Sequence, residues 1–289
     1  MPTSLVKTLI IGALLALLSG CSALRLAYNN GPLAAWWWLD GYIDFPGDQA
    51  PRAKAAIDQL FDRTRSADLP QLAALLAAAH AEVLEPTTPA QVCRWQRQFR
   101  ERLDPIVDRG VLLAADLVGG LGEPQWRHLE RQFEKKNADM RDDFLQPDPA
   151  ERLARSVERT VERAEMLYGR LGDAQKRVIA AGVAASPFDP QAWIAERERR
   201  QRDTLQTLRR LTAERADRDR TIAALRTLAE RAEISQDPAY RVYQQRLADY
   251  NCAFGAQLHN ATTPAQRQAA RAQLKTWEDD LRALAAPPQ

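Results

Sequence analysis

Apolar residues recur every three or four positions along most of this chain after residue 48, and this spacing constrains the fold most strongly. Each series places an apolar face on a helix with 3.6 residues per turn and leaves charge on the other side. Clear examples are Val92, Trp95, Phe99, Leu103 and Ile106, then Leu153, Val157, Val161, Ala164, Leu167 and Leu171. No comparable stretch has the two-residue period of a strand. The sequence therefore predicts an all-α protein.

Proline and capping residues indicate where the helices begin. The pairs are Thr88-Pro89, Glu123-Pro124, Asp148-Pro149, Asp189-Pro190, Asp237-Pro238 and Thr263-Pro264. A capping or acidic residue before a first-turn proline is typical of a helix N-terminus. We expect about eight to ten helices with short connections, arranged as a multi-helix bundle or as a stacked helical array.

Three of these starts and one further predicted start share a cap-x-[Pro/Ala]-Gln form at unequal intervals, at residues 88–91, 122–125, 263–266 and 172–175. Unequal spacing argues against a tandem repeat. The form is interpreted as convergent helix-start chemistry. The alternative is a similarity to the Leu-Thr-x-x-Gln helix starts of small periplasmic chaperones, although none of the four starts has the Leu-Thr pair.

The N-terminus has the features of a cleaved export signal. Lys7 precedes the apolar run 8–18, and the small residues Ser19 and Gly20 then lead to Cys21. The run is shorter than the roughly 20 residues that cross a bilayer. The pattern resembles the bacterial lipobox, in which the signal is removed and the new N-terminal cysteine is acylated. The alternative is an ordinary secretory signal with an accidental cysteine.

The lipobox resemblance implies a location and a division of the chain. Ser22 is not the aspartate that usually retains lipoproteins of Gram-negative bacteria in the inner membrane. We therefore expect the inner leaflet of the outer membrane, with the protein facing the periplasm. The expected segments are a removed signal at 1–20, the lipid anchor and an aromatic segment at 21–48, and a helical periplasmic domain at 49–289.

The two remaining cysteines, Cys93 and Cys252, are candidates for a disulfide. The periplasm is oxidising, so two leftover thiols there tend to pair. The alternative is a pair of buried free thiols. None of the three histidines is at ligand spacing from a cysteine, so we expect no metal site.

The charge balance argues against nucleic-acid binding. Lys and Arg total 40 against 38 Asp and Glu, whereas nucleic-acid-binding domains are basic or carry a basic stripe. A mean hydropathy of −0.44 excludes a polytopic membrane protein. The charge-dense region 191–233 predicts a long solvated helix pair, free to project as a hairpin. A docking arm for an acidic partner or for lipid head groups is the alternative interpretation.

The segment 25–45 is the main candidate for an interaction surface. Its candidate residues are Tyr28, Trp36, Trp37, Trp38, Asp40, Tyr42, Asp44 and Phe45. Three consecutive tryptophans span about 200° of a helix, so one packed face cannot hide all three. Helical spacing places Trp38, Tyr42 and Phe45 on one face and Trp37, Asp40 and Asp44 on another. Burial between helices, seating at a membrane interface and protein docking all remain open.

The same segment carries a resemblance to a family. A Tyr28-Asn29-Asn30 stretch soon after the lipobox cysteine, then tryptophan, then the Asp40–Phe45 motif resembles an uncharacterised family of proteobacterial helical lipoproteins. The similarity is firmest over residues 21–50 and thin beyond. It implies a helical lipoprotein and brings no activity with it.

No sequence motif indicates an enzyme. The catalytic Glu-Ser pair of lytic transglycosylases, the nucleophile elbow, the zinc-protease motif and a phosphate-binding loop are all absent from the sequence. We expect no catalytic residue, cofactor or metal. The expected role is binding or scaffolding with a membrane through Cys21 and with an envelope protein of unknown identity. The alternative is a chaperone-like holder of envelope proteins, and a cell-wall enzyme is less favoured.

Overall fold

The computed structural model describes residues 23–286, and this part of the chain is helical with short connections and no strand. The helices are α1 (Ala23–Asn29), α2 (Gly31–Ile43), α3 (Ala50–Arg63), α4 (Leu69–Glu82), α5 (Pro89–Val118), α6 (Glu123–Phe144), α7 (Pro149–Tyr168), α8 (Asp173–Ala184), α9 (Pro190–Ala213), α10 (Arg218–Glu233), α11 (Pro238–Asn260) and α12 (Pro264–Ala285). The predicted all-α class is confirmed. The predicted number was too low, because residues 23–286 contain twelve α-helices.

The predicted helix starts are confirmed in atomic detail. Helices α5, α6, α8 and α12 each begin with the cap-x-x-Gln form, and the Gln side chain accepts a hydrogen bond from the capping residue's backbone N–H. At α5, Thr88 N lies 2.8 Å from Gln91 Oε1. At α5 and α12 the cap is reciprocal, because the Thr hydroxyl also accepts the Gln backbone N–H, whereas Gly122 and Gly172 only donate. Each bond satisfies a backbone donor that a helix N-terminus otherwise leaves open.

The 30-residue helix α5 is the spine of the molecule. Helix α10 runs antiparallel along it, with ion pairs Arg218–Asp116, Arg226–Asp108 and Arg100–Glu233. Helices α3, α4 and α11 also pack against α5. Helix α4 joins α3 through a π-helical turn, Thr64–Asp68, and its partner over most of its length is α12.

The apolar core is distributed over several clusters between these helices. One cluster combines Ile43 of α2 with Trp126 of α6 and Leu208 of α9. Another joins Leu69 of α4 to Leu284 of α12, with residues of α1 packed against it. Residues 23–48 therefore pack onto the helices that follow.

The predicted projecting hairpin in region 191–233 is wrong. Helix α9 packs along α6 and helix α10 along α5, and Leu205, Leu208 and Leu211 are buried in the core. Much of the charge is paired within the molecule: Arg209 contacts Glu123 and Glu130 of α6. Burial of this narrow apolar stripe, and not solvation of the charged face, determines where these helices lie.

Candidate functional site

The three consecutive tryptophans of α2 have different surroundings, as the 200° argument requires. Trp36 is 7% exposed; its ring stacks on Phe45 at 5.8 Å, and Lys54 Nζ lies 4.6 Å from the ring centroid. Trp37 and Trp38 are each 65% exposed. Trp36 is therefore a core residue, and the other two belong to the surface.

Both tyrosines of the segment make internal contacts. Tyr28 donates its hydroxyl to the Phe61 carbonyl at 2.9 Å and meets the Phe61 ring edge-on. Burial raises the pKa of Tyr28, with a smaller opposing effect from Arg65. Tyr42 is half-buried between Trp38 and Phe133, with ring centroids 5.0 and 6.1 Å away. These rings hold α1 and α2 against the body of the protein.

The predicted grouping of Phe45 with Trp38, and of Asp44 with Trp37, is wrong. Helix α2 ends at Ile43, and Asp44 adopts the left-handed conformation with φ 59°. The chain therefore turns, and Phe45 packs back on Trp36. Asp40 Oδ1 accepts the Phe45 backbone N–H at 3.0 Å, so this carboxylate stabilises the turn, while Asp44 points to solvent. The two carboxylates therefore have different surroundings.

Helices α1 and α2 expose an uncharged, largely apolar stripe, which we call the outer stripe. Its apolar side chains are Leu26, Ala27, Leu33, Ala34, Trp37 and Trp38, all of them exposed, and the exposed polar Asn30 lies among them with its amide donating to the Leu26 carbonyl. Leu26 is 62%, Leu33 58% and each Trp 65% exposed. At 100° per residue these positions cover roughly 140° of the helix circumference. None of the six is charged, so the stripe is an uncharged surface on the order of several hundred Å².

The helical pattern continues across the junction between α1 and α2. Asn30 has αR dihedral angles, its N–H donates to the Leu26 carbonyl, and its own carbonyl accepts from Ala34 N. The residues of both helices therefore keep one angular register. The outer stripe runs from Leu26 to Trp38 along one side of both helices, with Asn30 as its polar member.

The opposite side of α1 is fixed to the C-terminal helix. Arg25 Nε donates to Asp280 Oδ1 at 2.7 Å, and Asp280 is 1% exposed. Arg65, from the π-helical turn, donates to the Leu284 carbonyl and to Asn29 Oδ1. No local sequence pattern indicates these contacts, since Arg25 and Asp280 are 255 positions apart.

A second surface feature is an apolar groove between α4, α5, α7, α11 and α12. Its volume is about 670 Å³, which is within the usual range of ligand pockets. Apolar side chains dominate the lining, including Leu76, Val83, Val92, Phe99, Leu167 and Leu274. No sequence pattern predicts this groove, because the residues that line it come from five separate helices.

His259 lies in the wall of this groove with both ring nitrogens engaged. Tyr168 Oη lies 2.8 Å from Nδ1, and the Glu85 carbonyl lies 2.8 Å from Nε2. Burial lowers the pKa of His259, while the hydrogen bond to Glu85 raises it. Burial raises the pKa of Tyr168 to about 12. The pair is thus a neutral hydrogen-bonded link between helices.

The strongest electrostatic perturbation lies in α9. Burial raises the pKa of Glu196, but hydrogen bonds from Arg199, Ser235 and Arg200 outweigh it and lower the pKa to about 2. Arg199 and Arg200 lie 2.7 and 2.8 Å from its oxygens. Perturbed carboxylates also occur in structural ion-pair networks. This one ties α9 to the α10–α11 connection.

Cys93 and Cys252 are joined by a disulfide, with their Cα atoms 5.4 Å apart, which links α5 to α11. The predicted lipidation site, Cys21, and the signal 1–20 lie outside the described residues. Within residues 23–286, no three His, Cys, Asp or Glu side chains come together as a metal site would require. Over the same residues, no helix combines the length and apolar character needed to cross a bilayer.

Residues 41–241 match the family of unknown function DUF6279. The chain belongs to this family. The match starts within the Asp40–Phe45 motif and extends far past residue 50, where the sequence resemblance is thin. It is consistent with the predicted membership of an uncharacterised family. No curated protein and no solved structure matches the chain.

Proposed function

We propose that this DUF6279 member is a lipid-anchored binding or scaffold protein of the bacterial envelope, facing the periplasm and without enzymatic activity. The observation that carries the proposal is the position of the outer stripe, which begins with Leu26, five residues after the lipobox cysteine Cys21. Large exposed apolar patches are typical of sites that meet a protein or a membrane.

Two further features support an anchored protein exported from the cytoplasm. The apolar run 8–18 followed by Ser19, Gly20 and Cys21 has the form of a lipoprotein signal. The disulfide between Cys93 and Cys252 fits an oxidising compartment such as the periplasm.

The contacts beneath the outer stripe support a role in binding. The Arg25–Asp280 ion pair and the Tyr28–Phe61 hydrogen bond hold α1 against the body. The exposed side chains of the stripe are therefore already in place before a partner binds. A surface that is already ordered loses less entropy when it binds. Exposed tryptophans such as Trp37 and Trp38 are also frequent energetic centres of interfaces.

The anchor is tested by labelling cells with an alkyne analogue of palmitate. We expect label on the wild-type chain and none on a Cys21→Ala variant. The matched control is the Cys93→Ala/Cys252→Ala double variant, which keeps the lipobox and retains the label. An unlabelled wild-type chain, with a known lipoprotein labelled in the same cells, refutes the anchor.

Binding is tested by crosslinking in native envelopes followed by affinity purification. The informative variant is Trp37→Ala/Trp38→Ala, which leaves the buried Trp36 in place and so preserves the core. A discrete partner captured by the wild type and lost from this variant supports a scaffold. Complete absence of crosslinked protein or lipid in the wild type argues against the proposal.

The apolar groove favours one alternative, a chaperone-like holder of envelope proteins. Such a protein needs a concave apolar surface, and the groove of about 670 Å³ lined by Leu76, Phe99 and Leu274 offers one. The test is suppression of aggregation of an unfolded outer-membrane protein by the wild type and by Phe99→Ser. Suppression that is lost in Phe99→Ser supports the holder function. A cell-wall enzyme is less favoured, because the sequence lacks the catalytic Glu-Ser pair of lytic transglycosylases.

A further inference from the structure

The side of α1 and α2 that carries the outer stripe is uncharged and, apart from Asn30, apolar, where a surface helix is usually charged. Among residues 23–43 the charged side chains are Arg25 and Asp40, and both have partners on the body side. A helix that is apolar on all sides normally has all sides covered. Here the inner side is covered by α3, α6 and α12, and the outer stripe is open to solvent.

The position of Cys21 indicates what covers the outer stripe. Only Ser22 separates this cysteine from Ala23, the first residue of α1. Two residues reach at most about 7 Å, and the stripe extends for about 18 Å along the helix axis from Leu26 to Trp38. An acyl chain on Cys21 therefore brings a lipid surface to the beginning of the stripe.

The composition of the stripe fits a lipid surface. Tryptophan favours the depth of the head groups, and leucine the outer part of the acyl chains. Helices that rest on a bilayer lie in the plane of the interface, with their lipid-facing side buried about 5–10 Å deep. Because none of the stripe residues is charged, its contact with lipid does not depend on attraction to acidic head groups.

We propose that the outer stripe, Leu26 to Trp38, lies on the bilayer surface next to the acylated Cys21 and acts as a second membrane contact. This inference rests on the lipid anchor of the proposed function. Because α1 is fixed to α12 through Arg25 and Asp280, the contact sets the orientation of the whole helical body against the membrane.

The test uses the acylated mature protein in vesicles containing phosphatidylcholine brominated in the upper acyl chain, which quenches nearby tryptophans. Trp37 and Trp38 are two of seven tryptophans, so we expect quenching of roughly a quarter of the emission. Trp37→Phe/Trp38→Phe removes this quenching. The matched control, Trp95→Phe/Trp193→Phe, removes two indoles elsewhere and keeps it. Raising the salt concentration leaves the quenching unchanged.

Two measurements separate failure of this inference from failure of the anchor. Mass spectrometry of the same sample reports acylation of Cys21. An acylated, vesicle-bound protein without quenching overturns the membrane contact and leaves the anchor intact. An unmodified Cys21 overturns the anchor and the inference with it. A photo-crosslinker at position 37 that joins two copies of the chain, or the chain and another protein, in place of lipid also overturns the membrane contact.

Discussion

Gly31 shows how one missing side chain determines the position of a helix. It lies at the start of α2, and a Cβ built on it overlaps the ring of Phe61 on α3. That ring also meets Tyr28 of α1 at 5.4 Å. The absence of a Cβ therefore allows the junction of α1 and α2 to approach α3 closely.

We expect Gly31→Ala to destabilise the protein by about 1–3 kcal/mol, the usual cost of overpacking a close contact. The control is Gly41→Ala in the same helix, where an added Cβ meets nothing within 4 Å. There alanine is neutral or stabilises by up to about 1 kcal/mol, because it is the better helix former. Urea unfolding measures both, and equal midpoints for the two variants contradict the prediction.

Glu196 makes stability depend on pH in a defined window. Its pKa is about 2 in the folded protein and about 4.3 in an unfolded chain. The folded state thus holds fewer protons. Its stabilising contribution is complete above the unfolded pKa and is lost as the pH falls from about 4.3 through 2.

We expect Glu196→Gln to lower the free energy of unfolding at pH 7 by about 1–3 kcal/mol, because Arg199 and Arg200 lose a charged acceptor. The difference from wild type should shrink between pH 5 and pH 2. Glu151→Gln is the control, since Glu151 takes part in an exposed pair with Arg155 and surface pairs contribute little. A difference that does not vary with pH refutes the assignment.

At the scale of elements, α1 depends on contacts at the far end of the sequence. The Arg25–Asp280 pair and the cluster of Leu24 and Tyr28 with Leu281 and Leu284 hold it on α12. We expect Arg25→Ala to destabilise by about 1–3 kcal/mol, because it removes an ionic partner from the buried Asp280. Hydrogen exchange should accelerate in α1 and less in α5.

The control for this prediction lies on α12, the helix that carries Asp280. Lys275 pairs with Asp279 of α12 at an exposed position, so Lys275→Ala should change stability by less than about 1 kcal/mol. Arg25→Ala with unchanged exchange in α1 shows that the ion pair does not hold this helix.

The elements could be predicted from sequence because their signals are local. The Thr88 and Thr263 caps and the apolar series at 92–106 lie within single helices, and the structure begins helices at the predicted starts. The end of α2 was missed, because Asp44 adopts a left-handed conformation that most side chains avoid. The packing of α9 and the groove depend on contacts between distant helices, which spacing along one helix does not report.

The candidate site could be predicted only in part, because some of its features are local and others depend on contacts between distant helices. Helical geometry alone shows that one packed face cannot bury Trp36, Trp37 and Trp38 together. Which of them is buried depends on Phe45 and Lys54, whose positions follow from the turn after α2 and from the packing of α3. No sequence pattern near Asp280 indicates that this residue pairs with Arg25 and so orients α1 and its part of the stripe.

At the scale of the whole molecule, the disulfide joins the spine helix α5 to α11 across 159 positions. The loop-entropy model assigns such a closure about 5 kcal/mol. We expect Cys93→Ser/Cys252→Ser to lower the free energy of unfolding by a large fraction of this amount, measured as a lower urea midpoint. Wild type with a reductant should approach the variant, and the variant itself should not respond to reductant. A wild-type midpoint unaffected by full reduction contradicts the prediction.

The pairing of the first and last described helices has a consequence for the order of events during synthesis. Arg25 emerges 255 residues before Asp280, which at 5–20 residues per second is a delay of about 13–50 seconds. Throughout this delay α1 has no α12 to pack on, although Tyr28 can already meet Phe61 of α3. The side of α1 that faces α12 is therefore covered only after nearly the whole chain has been made.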